Sequence, residues 1–121
     1  MKKKKREPIM FLDDIIECVE RIEEYTKKMT ESEFASDEMT KDAVMRRIGI
    51  IGEAVKNLPA SIRNNHKEID WKKIAGMRDV LVHEYFGVAS QRVWGAVKKD
   101  VPDLKVKISK ILKDFKISKL V

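Results

Sequence analysis

Residues 78–85 read RDVLVHEY and set an Arg, an Asp, a His and a Tyr among valines and a leucine. Of these groups, His83 has the ordinary pKa suited to exchanging a proton near neutral pH. Against RNA it can take the proton from a ribose 2′-hydroxyl, whose oxygen then attacks the adjacent phosphorus. Arg78 offers a planar, permanently charged fork for the negative charge that develops on the phosphoryl oxygens. Tyr85 can hydrogen-bond a phosphate or orient the imidazole. Asp79, four residues before His83, can fix its tautomer or balance charge locally. The chemistry these types suit is metal-independent cleavage of RNA.

The helix that carries them decides whether they can meet. Stepping about 100° per residue from Trp71, Ile74, Ala75, Leu81 and Val82 fall within about 80° and define an apolar stripe. Arg78 falls at about −20° and Tyr85 at about −40°, inside the stripe, while Asp79 at about 80° and His83 at about 120° flank it. An Arg aimed into apolar territory needs a partner. Glu53, the lone acid in IIGEAV, is one candidate. A second subunit that leaves a phosphate-sized cleft is another. Arg78 and His83 point about 140° apart on one straight helix, so two such helices around a two-fold axis bring them together more readily than one chain does. The same residues also suit a structural account: a His complementing a helix C-terminus, an inter-helix Arg–Glu pair and a packed Tyr.

Around that helix the pattern is helical throughout. Apolar positions 11, 12, 15, 16, 19 and 22 predict a first helix over about residues 8–29, with Pro8 in its first turn. TESEFAS (30–36) reads as a polar break, with Ser36 capping a helix that runs to Leu58. Val44, Ile48, Ile51, Val55 and Leu58 make that helix central, and Gly49 and Gly52 predict a close approach by a neighbour. Residues 59–69 form a connector with room for one short helical turn. Asp70 caps the helix from Trp71, Gly87 stops it, Ser90 caps a helix over 91–100, and Pro102 opens a last amphipathic helix. The expected fold is all-α, an antiparallel bundle of four or five helices. Residues 1–7 read as a basic tail and 8–121 as a single domain.

Composition narrows the classes further. Of 121 residues, 43% are hydrophobic and 38% charged, with 5 Gly and 3 Pro, too few turn residues for a sandwich or barrel. The net charge of +6 comes from the ends: KKKKR at 2–6 contributes +5 and residues 103–121 contribute +4, leaving −3 between. Such ends add salt-sensitive attraction to phosphates or are simply solvated. His66 lies in the polar connector and reads as solvated, and Trp71 and Trp94 read as core or interface anchors. Cys18, the single cysteine, sits on an apolar stripe and suits a packed thiol in a reducing compartment. No apolar run approaches the ~18 residues of a membrane span, and the N-terminal region is too acidic for a signal peptide, so a cytoplasmic location is expected.

RDVLVHEY resembles the Arg-x4-His-x-Tyr motif of HEPN-domain ribonuclease toxins, specifically the HepT family. The likeness extends to FLDDIIECVERIEEY, AVMRRIGIIGEAVKNLP, IDWKKIAGMRDVLVHEYFGV and VWGAVKKDVPDL, covering roughly residues 8–112. It implies a homodimer of HEPN-like helical subunits whose paired motifs line an interfacial cleft, with Arg78 and His83 as the catalytic pair. Asp79 takes a position where the family has a polar residue. The resemblance also implies a partner, an MntA-like nucleotidyltransferase antitoxin that uses ATP and Mg²⁺ to place AMP on the motif Tyr, here Tyr85. The nucleotide and metal would belong to that partner, since this chain shows no phosphate-cradling Gly-rich loop and no clustered metal ligands; it is expected to need no cofactor. The competing reading is a non-catalytic helical partner, or substrate-binding module, of a minimal nucleotidyltransferase.

Overall fold

A computed structural model describes the backbone of residues 7–87 and 90–118, and the side chains of 7–79 and 90–117. Among these residues every regular element is helical: α1 (Pro8–Thr26), α2 (Glu31–Ser36), α3 (Glu38–Asn57), α4 (Ala60–Asn65), α5 (Trp71–Gly87), α6 (Ser90–Gly95) and α7 (Val101–Ser118). A five-residue π-helix, Ala96–Asp100, joins α6 to α7. Four long helical paths therefore carry the bundle, as the periodicity predicts, with α2 and α4 as short additions.

Each boundary has a local cause. Pro8 opens α1 at a position where its missing N–H is no loss. The TESEFAS stretch, expected as a polar break, is instead the helix α2. The Thr30 hydroxyl accepts from the Glu33 N–H at 3.1 Å, and the Glu33 carboxylate accepts from the Thr30 N–H at 3.0 Å. That reciprocal box satisfies two donors at once and was legible as Thr-x-x-Glu. The cap of α3 is likewise Asp37, not Ser36. Asp37 accepts from the Thr40 N–H at 3.0 Å, while the Ser36 hydroxyl turns back onto the carbonyls of Ser32 and Glu33. The hydrogen bonds from Thr40 hold the Asp37 carboxyl below its ordinary pKa. Asp70 caps α5 as expected, accepting from the Lys73 N–H at 3.1 Å, and α5 ends at Gly87.

The last helix starts at Val101, one residue before Pro102. A proline ring in an α-helix collides with the carbonyl four residues back. The wider π turn before it, closed by the Val101 N–H on the Ala96 carbonyl, is the geometry that relieves such a collision.

The core follows the apolar stripes. Leu12, Ile15, Val19 and Ile22 of α1 meet Val44, Ile48, Ile51 and Val55 of α3, all 0–1% exposed. Leu104, Ile108 and Ile111 bring α7 onto α1. Each such aliphatic side chain contributes about 1.5–3 kcal/mol on burial. Phe34 plugs α2 into the bundle, its ring 5.2 Å from that of Trp94, and Lys98 lies over the Trp94 ring at 4.6 Å. Outside the core, Lys105 of α7 meets Glu23 of α1 at 2.8 Å. No helix among the described residues is long and apolar enough to cross a membrane.

Candidate active site

The site begins with two glycines. A methyl group added at Gly52 would stand 3.3 Å from the Ala75 carbonyl oxygen, so bare backbone is what lets α5 lie this close to α3. One turn earlier, a methyl at Gly49 would stand 3.4 Å from Cδ and 3.5 Å from Nε of Arg78. The close neighbour that these glycines predict is therefore α5, and at Gly49 it is the stem of Arg78 itself. The sequence marks the approach but not its occupant.

At its other end α5 is pinned by Trp71, which is 8% exposed. Its indole N–H is shared between the carbonyls of Arg63 at 3.2 Å and His66 at 3.0 Å. Both acceptors belong to the α4 region, so the ring locks the connector to the start of α5. The anchor role expected of Trp71 is met, and Trp94 packs against the core through Phe34. His66 is more enclosed than a solvated connector residue would be. Its ring is about three-quarters covered and lies 3.4 Å from Glu68.

Arg78 departs in part from its expected place. The stripe is deepest at Trp71 and shallower through Ile74 and Ala75, which are half-buried. By Arg78 only the stem is covered: the side chain is 52% exposed, and Nη1 stands 3.7 Å from the Asp79 carboxylate. Glu53, weighed above as its partner, is exposed and lies 3.9 Å from Lys56 instead. The reason is positional. Arg78 crosses α3 at Gly49, one turn before Glu53, and the open seam there lets the guanidinium reach solvent beside Asp79 rather than Glu53. Asp79, expected beside His83, has its carboxylate near Arg78. The side chains of His83 and Tyr85 lie outside the described residues, and their backbone positions belong to α5. The 1–6 part of the expected basic tail also lies outside them.

The remaining reactive group is quiet. Burial pushes the Cys18 thiol above its ordinary pKa, against the pull of Arg47, whose guanidinium lies 4.0 Å away. A buried, protonated thiol is a packing group rather than a nucleophile, in line with its apolar stripe. No group of three or more His, Cys, Asp or Glu suited to a metal lies among the described residues.

The described part of the site is thus an all-helical scaffold presenting an Arg fork on the helix that also carries a His and a Tyr. The model of the family described as "Ribonuclease HepT-like" matches residues 15–111, which include α5 whole. The chain belongs to the HepT-like ribonuclease family.

Individual relatives agree. The chain is 46% identical over 103 residues to the "Probable ribonuclease HepT" of Thermococcus cleftensis, covering 85% of this chain and 94% of that protein. It is 49% identical over 106 residues to the "Gamma-glutamylcyclotransferase and putative RNase MJ0434" of Methanocaldococcus jannaschii, covering 88% of this chain and 48% of that one. The chain thus spans about half of that relative's length. A third relative, "Putative RNase MJ1216" of the same organism, is 43% identical over 111 residues and 92% covered. No solved structure matches the chain.

Proposed function

We propose that this chain is the metal-independent endoribonuclease toxin of a toxin–antitoxin pair, acting in the cytoplasm as a homodimer. The observation that carries the reading is Arg78: a guanidinium seated by its stem on Gly49 and open to solvent, five residues before His83 on the helix that the family match encloses. The fork has Asp79 beside it at 3.7 Å and is otherwise half open to solvent, which leaves donors available for a phosphate.

In the proposed reaction His83 removes the ribose 2′-hydroxyl proton and the freed oxygen attacks phosphorus. The P–O5′ bond breaks, and the leaving oxygen takes up a proton. Arg78 stabilises the negative charge on the non-bridging oxygens. The products are a 2′,3′-cyclic phosphate and a 5′-hydroxyl. Asp79 holds the Arg78 fork from one side, and Tyr85 contacts phosphate or the imidazole. Because Arg78 and His83 diverge around one helix, the paired helices of a dimer supply the cleft. Regulation follows from the same residues. An MntA-like nucleotidyltransferase antitoxin would place AMP on the Tyr85 oxygen, adding bulk and negative charge where an RNA phosphate must sit.

Incubation with RNA in chelator tests the reading: cyclic-phosphate ends are expected, and His83→Ala should abolish them while the oligomeric state is unchanged. A fully active His83→Ala variant would overturn the assignment. A chain that cuts no RNA, yet co-purifies with a neighbouring nucleotidyltransferase, would be its non-catalytic partner instead.

A further inference from the structure

An open groove of about 810 Å³ runs between α4 and the first turns of α5, with Lys56 of α3 at its edge. Its cations are Lys56, Arg63, Lys67 and Lys72. Lys56 makes only the loose 3.9 Å pair with Glu53, and among the described residues no carboxylate pairs with Arg63, Lys67 or Lys72. The Nε of Arg63 is buried and has no hydrogen-bond partner there. Two acids also line the groove, but both are engaged: Glu68 faces His66 at 3.4 Å, and Asp70 caps α5. The surplus of positive charge is local, in a stretch between the basic ends where the overall balance is −3.

The groove stops one turn short of Arg78, since Ala75 is the last residue of α5 that lines it. Lys72, Ala75 and Arg78 are spaced three apart, so they follow one inclined row that winds about 120° around α5 from the groove toward the seam. Ala75 lines the groove and, through its carbonyl, meets the Gly52 seam that Arg78 also touches. Lys72 and Arg78 are separated by about 9 Å of helix, the rise of two to three stacked nucleotides. The Trp71 indole, bonded to two carbonyls of the α4 region, holds both walls together. The groove is thus a basic surface fixed in place one turn from the Arg78 guanidinium.

We propose that the α4–α5 groove binds the phosphodiester backbone of single-stranded RNA beside the nucleotides at Arg78, through Arg63, Lys67 and Lys72. The groove assignment rests on the ribonuclease reading above for its ligand class, and it can fail separately. Backbone contacts of this kind position a strand without reading its bases, so affinity should depend on salt more than on sequence.

The test uses a fluorescent 2′-O-methyl RNA oligonucleotide, which lacks the attacking hydroxyl and stays intact on the wild-type chain. Anisotropy is measured across a range of KCl concentrations. The Arg63→Gln/Lys67→Gln/Lys72→Gln variant should bind more weakly, with a log K against log salt slope shallower by about 2, at roughly 0.7 per phosphate lost. Lys113→Gln/Lys116→Gln on α7 serves as the control for lost charge, and Arg63→Lys should keep most of the slope. An unchanged slope in the triple variant overturns the proposal. So does an equal change per charge in the control, or a triple variant whose oligomeric state shifts, which would make the groove a contact between chains. A wild-type chain that binds with this slope difference but cuts no ordinary RNA would sink the ribonuclease reading and leave the groove standing.

Discussion

Arg78 is held by its stem and half open to solvent at its head, and each half predicts a different outcome. The head is a planar fork, so Arg78→Lys keeps the charge and loses the geometry; RNA cleavage should fall by about 10²–10³-fold, read as initial rate in chelator. The stem rests on Gly49. A methyl there makes only ordinary contact with the Arg78 Cδ at 3.4 Å, so Gly49→Ala should retain activity. Gly49→Leu claims the space of the stem and should cost about 10–100-fold in rate through misplacement of the fork. Because the guanidinium is half in water, Arg78→Ala should change unfolding free energy by less than about 1 kcal/mol, as an exposed pair does. A larger loss in denaturant titration would return Arg78 to a structural role.

The elements stand on their caps and on one seam. Thr30→Ala removes a capping box and should cost about 1 kcal/mol in urea unfolding. Gly52→Leu forces α5 away from α3 at the Ala75 carbonyl and should cost about 1–3 kcal/mol. Asp37 sets an acid dependence. Its folded pKa lies below the unfolded value, so its contribution is complete above the unfolded pKa and disappears as pH falls through the folded one. The melting temperature of Asp37→Asn should therefore fall less than that of the wild type on acidification over that interval.

For the whole molecule, the five-residue spacing of Arg78 and His83, about 140° of turn on a straight helix, sets the assembly test. If each cleft takes its Arg from one chain and its His from the other, Arg78→Ala and His83→Ala protomers are each dead alone. Mixed and re-annealed, they should recover about a quarter of the wild-type rate, since half the dimers are mixed and each has one intact site. No recovery would mean that both groups of a site come from one chain. AMP carried on Tyr85, read by intact-mass analysis after incubation with the nucleotidyltransferase and ATP, should accompany loss of cleavage; Tyr85→Phe should resist both changes.

How much could be read in advance varies with the range of the interaction. The long helices, the core faces, the Asp70 cap and the glycine approach at Gly49 and Gly52 follow from spacing and from local backbone chemistry and are present in the fold, although α1 stops at Thr26 rather than 29 and the helix expected over 91–100 turns π at Ala96. The family resemblance was carried by RDVLVHEY and its flanks. Short local motifs were legible but misjudged: Thr30 and Glu33 make a helix of a supposed break, and Asp37 outcompetes Ser36 as a cap because its carboxylate meets the free N–H of Thr40. Angles on one helix placed Arg78 within the stripe that meets a neighbour, but they could not show where that neighbour ends, so the exposed head was missed. Only the packing of α5 across α3 decided that the Arg78 head leaves the seam for solvent and Asp79, away from Glu53. Only the docking of α4 by Trp71 decided that cations scattered between residues 56 and 72 share one groove. Periodicity is a property of one helix, whereas charge pairing is settled by which helices meet and where each surface stops.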